Sequence, residues 1–271
     1  MFIGLGAMKC GTTWTSQYLK DHPDVFHSPI NEMNFFNRQD RNELDGPLPK
    51  HWRRMYQEIL LKEQRAPQLR KSQFEKLKAI AELDRMRNTD DYLSYFDARI
   101  ANEQIFGEIC PQYWGLSSSA YRRIVDMGIE TKFLFFMRDP TERLASHFQH
   151  RMRSREYDVD EATKELCPGK SAFDRSNYMH TLRNFESSGV KQPLALFIYE
   201  DMFTTASIAR LCDFLEIKRM PADFDRQVNV SLGMKVTADQ KLRIREKLDP
   251  VYRELAVHFG DKKPVSWKWS I

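Results

Sequence analysis

No stretch of this chain approaches the ~20 consecutive apolar residues that a membrane-spanning helix needs, so the sequence offers no transmembrane segment. Cysteine is scarce: Cys10, Cys110, Cys167 and Cys212 lie far apart and form no C-x-x-C pair. That spacing supports neither a zinc site nor a disulfide framework, and it predicts a reduced, cytoplasmic protein. No apolar leader precedes the first motif, in keeping with that expectation. Internal repeats and low-complexity tracts are missing too. Positive charge is not concentrated: 42 Lys and Arg oppose 38 Asp and Glu, for a net charge of +4. So mild a balance argues against nucleic acid as a partner and suits an anionic small molecule or polyanion. His22, His27, His147 and His150 show no spacing with cysteines or carboxylates that makes a metal site, and no metal is expected.

What is present is ample apolar material, 41% of 271 residues, enough for one large domain or a domain with an insertion. Short apolar runs read as buried strands: "FIGLG" at 2–6, "QIFGEI" at 104–109, "TKFLFFM" at 131–137 and "LALFIY" at 194–199. Between them lie helical patterns, after the first strand, around 117–127, in "TERLASHFQHRM", around 178–187 and in "TTASIARLCDFLEI". Strands alternating with helices predict an α/β fold with a central parallel sheet. The section near 154–176 reads as loose, and the C-terminal third as helical. The charged stretch from about 39 to 104 shows helices and no strand, and reads as an insertion on the acceptor side of a single domain spanning 1–271.

The first strand runs into "GLGAMKCGTTW". Its glycines, Gly6 and Gly11, have the spacing of a phosphate loop, in which inward N–H groups and a helix N-terminus attract an anion. The lysine that a triphosphate-binding loop places after its second glycine is absent; Thr12 and Thr13 follow Gly11, and the lysine sits inside the loop at Lys9. No strand ends in an aspartate suited to hold magnesium. A second signal is "FLFFMRDPTERLASHF", which sets Arg138 at the C-terminal end of a buried strand, Asp139 as N-cap and Pro140 at the helix start. Arg143 and Ser146, three residues apart, share a helix face. An arginine with a serine hydroxyl at a strand end can receive a second phosphate. Taken singly, each residue is also explained by an ion pair or a plain helix position. A ligand with phosphates at both ends of a nucleoside, held without metal, is a 3′,5′-bisphosphate.

Both motifs resemble those of the sulfotransferases that use 3′-phosphoadenosine 5′-phosphosulfate (PAPS): "GAMKCGTTW" is similar to their 5′-phosphosulfate loop and "RDPTERLASHF" to their 3′-phosphate motif. The resemblance covers the whole chain and implies a P-loop-like sulfotransferase fold. It implies that Lys9, Cys10 (through its backbone), Gly11, Thr12 and Thr13 hold the phosphosulfate, and that Arg138 and Ser146 hold the 3′-phosphate. Lys9 would neutralise the bridging oxygen as adenosine 3′,5′-bisphosphate (PAP) departs. Trp14 matches a tryptophan that stacks on adenine, and equally reads as a core-facing aromatic. The segment "HPDVFHSPINEMNFF" resembles the carbohydrate branch typified by heparan sulfate sulfotransferases, in a soluble bacterial-type form, and makes Glu32 the general base. Glu32 also reads as an ion-pair partner of Lys9. Departures from the branch pattern are Asn31 and Ile109 where lysines are usual, and Leu232 in the flap echoed by Asn229, Ser231, Gly233 and Lys235. The function expected is sulfuryl transfer to a hydroxyl or amine of a small-molecule or glycan acceptor. The alternatives are a P-loop nucleotide kinase and a non-catalytic nucleotide-binding module, with His27 as the rival base to Glu32. The tail "VSWKWSI" has no reading at this level.

Overall fold

A computed structural model describes residues 1–65, 71–152, 157–226 and 235–269. The wholly buried strand β1 (Phe2–Gly4) turns through the glycine loop into α1 (Thr12–Asp21). β2 (Val25–His27) follows, then α2 (Phe35–Asp40), α3 (Lys50–Arg65), α4 (Lys71–Arg85) and α5 (Thr89–Asp97). β3 (Ile105–Ile109) leads through a 3-10 turn into α6 (Ser118–Val125) and β4 (Lys132–Met137). After β4 come α7 (Pro140–Arg151), α8 (Val159–Lys164), α9 (Ser171–Asp174), α10 (Tyr178–Ser188) and β5 (Leu194–Ile198). α11 (Thr205–Leu215), α12 (Ala238–Lys247) and α13 (Asp249–Phe259) close the order.

Among the described residues the strands form one parallel sheet in the order β2-β3-β1-β4-β5. Helices cover both faces, so β4 shows no polar alternation: all six of its residues are buried. The connection from β1 leads outward to β2, whereas the one from β4 leads the opposite way to β5. Ligands of open α/β sheets bind outside the carboxyl ends of the strands where such a reversal occurs. That places the binding edge beside the ends of β1 and β4.

The expected α/β architecture and parallel sheet are therefore present. One strand escaped the sequence pattern. β2 is three residues long, lies at the sheet edge and ends just before "SP", which is too short to display a period. The section near 154–176, read as loose, contains α8 and α9 in its described part. α8 starts where the Asp158 carboxylate accepts from the Asp160 and Glu161 N–H groups. The stretch from 39 to 104 contains α3, α4 and α5, and no strand among its described residues.

Close approach of β1 and β3 depends on Gly107, which pairs with Phe2. A Cβ at Gly107 would stand 1.9 Å from the Phe2 carbonyl oxygen, and backbone cannot swing aside as a side chain can. Gly107→Ala should therefore destabilise the protein by at least about 2 kcal/mol, as overpacked sites do. Urea denaturation would show this as a lower midpoint at unchanged slope; a wild-type midpoint would contradict the close pairing.

Candidate active site

The loop after β1 is tied to its neighbours before it opens. Leu5 and Ala7 donate to the Leu134 and Phe136 carbonyls at 2.8 and 2.7 Å, and Phe136 donates back to Gly6 at 2.7 Å. Gly6 has φ 111° and Gly11 φ 83°, both left-handed. A Cβ on Gly6 would also press the Pro111 carbonyl oxygen at 2.7 Å, so that position needs glycine twice over. Gly11 caps α1 without a side-chain hydrogen bond, which leaves the first-turn N–H groups to an incoming anion.

A cavity of about 620 Å³ lies at this edge, and Lys9, Gly11, Thr12, Thr13, Trp14, Glu32, Arg138 and Ser146 all line it. Residues from the ends of β1 and β4, from α7 and from the 31–34 turn thus meet in one place. Cys10 does not line the cavity. Its side chain is fully buried against the Tyr178 hydroxyl at 3.7 Å, and burial pushes the thiol up to about 11. Arg143 does not share the cavity with Ser146, as the helix-face argument implied. It is fully buried, with Nε donating to Ser176 Oγ at 2.8 Å and Nη2 to the Ala172 carbonyl at 2.9 Å. Three residues along a helix is about 300° of rotation, so neighbouring side chains can still diverge into core and cleft.

Arg138 bridges the two motifs. Its guanidinium lies 4.2 Å over the Tyr199 ring, donates to the Lys9 carbonyl at 3.5 Å and stands 4.0 Å from Glu200. Glu200 is itself held by the tail: Trp267 Nε1 donates to its Oε2 at 3.0 Å, and the Asp139 N–H to its Oε1 at 3.0 Å. Asp139 caps α7 as expected, and also accepts from Tyr252 at 2.7 Å and from the Lys268 N–H at 3.0 Å. The segment "SWKW" is thus part of the wall behind Arg138. Trp14 is 6% exposed and still lines the cavity, stacked on Phe224 with 6.0 Å between centroids. Its burial bears out the reading as a core-facing aromatic, and its ring is also part of the cavity wall.

Glu32 has φ 58°, a left-handed conformation that costs a non-glycine residue roughly 1–2 kcal/mol. A neighbouring carboxylate fixes it there. Glu108, fully buried in β3, accepts the Met33 N–H at 2.9 Å, the Tyr113 hydroxyl at 2.7 Å and the Tyr92 hydroxyl at 3.3 Å. Burial raises the Glu32 carboxyl above the ordinary range, opposed by the Arg175 guanidinium. Burial likewise lifts Glu108 to about 7 against its three donors, with the Glu32 charge adding to the rise. Glu32 also lines two further cavities, of about 500 and 260 Å³, on the side of α2 and α3.

The rival base is differently placed. His27 is buried in β2, its Nδ1 is 2.9 Å from the Ser28 carbonyl, and burial lowers it to about 3. It does not line the cavity, whereas His150 does. His22 accepts the Asp24 N–H at Nδ1, so its Nε2 carries the proton and donates to the Lys218 carbonyl at 2.7 Å. His147 is held neutral, at about 3, by burial and by the charges of Arg143, Arg175, Lys9 and Arg151. Of the flap candidates, Asn229, Ser231 and Gly233 lie outside the described residues, and Lys235 is exposed and away from the cavity.

A family model described as the sulfotransferase family matches residues 2–221. The chain belongs to the sulfotransferase family. A search of curated proteins found no match. Solved structures share the fold: a sulfotransferase from Alicyclobacillus acidocaldarius matches with a TM-score of 0.65 at 18% identity, covering 95% of this chain and 94% of the other. The sulfotransferase domain of the curacin biosynthetic pathway matches at TM-score 0.50 and 15% identity, over 92% of this chain and 96% of that one. The sulfotransferase domain of the Synechococcus PCC 7002 olefin synthase matches at 0.50 and 13%, over 91% and 93%. The five-stranded parallel sheet flanked by helices is thus the sulfotransferase fold, with its P-loop-like glycine turn. Among the described residues of this sulfotransferase, no helix is long and apolar enough to cross a membrane.

Sequence reasoning did not single out Glu108, Arg175, Glu200 or Trp267. Glu108 sat inside "GEIC", but of its three partners only Tyr113 is near in sequence; Met33 and Tyr92 come from segments that no local spacing reveals. Its titration has a readable consequence in this sulfotransferase. The folded value of about 7 exceeds the ordinary 4.5, so above pH 4.5 the native state binds more protons than the unfolded chain. Stability present below pH 4.5 is then lost as pH rises through about 7, by roughly 3 kcal/mol. Glu108→Gln should flatten that part of the profile, as read from urea denaturation at pH 5 and pH 8. Equal slopes for both proteins would show that Glu108 is already ionised in the fold.

Proposed function

We propose that this sulfotransferase moves the sulfuryl group of PAPS to a hydroxyl or amine of an acceptor that enters from the side of α2 and α3. The observation that carries this reading is the meeting, in one cavity, of the loop bearing Lys9 with Arg138 at the adjacent strand end, Ser146 on α7 and Glu32. In this reading the open N-terminus of α1, Thr12 and Thr13 hold the 5′-phosphosulfate, and Arg138 and Ser146 take the 3′-phosphate. The Trp14–Phe224 stack and Phe203, which also line the cavity, give the adenine an apolar end.

The chemistry follows from the charges. Lys9 stabilises negative charge on the bridging oxygen as the sulfur–oxygen bond breaks. Glu32, whose carboxyl burial raises, accepts the proton of the attacking hydroxyl or amine. This choice of base sides with the carbohydrate branch. The polar lining of the 500 Å³ cavity, including Asn34, Asn37, Arg41 and Gln112, suits a small-molecule or glycan acceptor. The helices between 39 and 104 then form the acceptor side of a single domain. Free thiols at Cys10, Cys110, Cys167 and Cys212 accord with a cytoplasmic protein.

PAP should raise the melting temperature, since a ligand bound only by the native state stabilises it by mass action, whereas magnesium–ATP should do so weakly. Arg138→Ala should weaken PAP by roughly tenfold to a hundredfold and adenosine 5′-phosphate much less. Equal melting shifts from ATP and PAP would favour the kinase alternative.

Glu32→Gln keeps the side-chain shape and removes the proton acceptor. PAP affinity should stay near wild type while single-turnover sulfuryl transfer slows by about 10²–10⁴. Normal turnover of Glu32→Gln would assign the base elsewhere, and loss of PAP binding would make Glu32 part of the donor site.

A further inference from the structure

Arg175, just past α9, is a cation whose hydrogen bonds go to neutral atoms. Its Nη1 donates to Met8 Sδ at 3.4 Å and its Nη2 to Gln112 Oε1 at 3.2 Å. Its Nε is buried and has no hydrogen-bond partner. A guanidinium presents five N–H donors, and a thioether is a weak acceptor. Withdrawing such a group from water beside these partners leaves much of its hydrogen-bonding capacity unused. Arg143 and Arg138 each keep one buried nitrogen unpartnered too, but both have firmer partners than a thioether: Arg143 donates to Ser176 and the Ala172 carbonyl, and Arg138 lies on the Tyr199 ring beside Glu200.

The two contacts of Arg175 define where it stands. Met8 belongs to the phosphate loop, adjoins Lys9 and lines the 620 Å³ cavity. Gln112 lines the 500 Å³ cavity, and Glu32 lines both. Arg175 itself lines neither cavity; it stands behind Met8 and Gln112, where the donor cavity meets the acceptor side, within electrostatic reach of Glu32.

We propose that Arg175 binds the non-bridging oxygens of the sulfuryl group, in the bound donor and during transfer. The proposal rests on the reading of the large cavity as the PAPS site. In the reaction, the acceptor oxygen or nitrogen forms a bond to sulfur and its proton passes to Glu32. The bond from sulfur to the bridging oxygen breaks, and its electron pair stays on that oxygen, beside Lys9. Sulfur moves between these ends with negative charge spread over three oxygens. Lys9 serves the leaving oxygen; the fork of Arg175 fits two of the others. Exchanging a thioether for a charged oxygen as acceptor gives Nη1 a stronger partner.

PAPS and PAP differ by the sulfuryl group alone, so the ratio of their affinities isolates the contact. Calorimetry on the full chain without acceptor should show Arg175→Met losing on the order of tenfold in PAPS affinity relative to PAP. Arg175→Lys keeps a point charge without the fork and should lose roughly threefold, which carries the test if the methionine variant does not fold. An affinity ratio unchanged from wild type in the folded variants, including equal weakening of both ligands, would overturn the assignment. A wild-type protein that binds neither ligand would refute the donor reading itself, and this inference with it.

Discussion

Parallel pairing of β1 with β4 is the constraint on which the rest of the structure depends. Phe2, Ile3 and Gly4 lie beside Lys132, Phe133 and Leu134, and the loop entry stays hydrogen-bonded to β4 as far as Phe136. In parallel strands the chain leaves both at the same edge, so the glycine turn and Arg138 emerge side by side. The Arg138 contact with the Lys9 carbonyl is a consequence of that register. A slip by one residue would turn the apolar side chains of β1 to the opposite face and pull the two loops apart.

Around that edge the protein gathers like charges. Burial, and after it the charges of Arg143, Arg175, Lys9 and Arg151, lower His147 to about 3 and hold it neutral. Burial raises each of the carboxyls close to this field, Glu32, Glu108 and Glu200, and Glu200 also stands behind the wall. The resulting positive field, in a cavity partly closed by aromatic rings, favours a multiply charged anion over its surroundings.

The strands and the two anion motifs were legible because each is local. An apolar run marks a buried strand, and "GAMKCGTT" or "RDPTERLAS" carries its turn chemistry within a dozen residues. What was not legible arises from long-range encounters. β2 is too short to show a period, and the inward turn of Arg143 depends on where Ser176 lies. Glu108 acquires its role only when Tyr92, Met33 and Tyr113 converge on it, and Arg175 only when α9 docks beside the loop. The tail resisted reading for the same reason. Its partners Glu200 and Asp139 are respectively 67 and 129 residues away from Trp267 and Lys268.

That docking of the tail has a consequence for how the protein is made. Synthesis proceeds from the N-terminus, and domains begin to fold as they emerge. The glycine loop leaves the ribosome well before the segment at 267–268, yet Glu200 and Asp139 find their tryptophan and backbone partners only when that segment follows. A nascent chain can form the sheet while the wall behind Arg138 is still open. The cavity at the strand ends is thus completed late, although the loop that begins it emerges long before the segment that closes its wall.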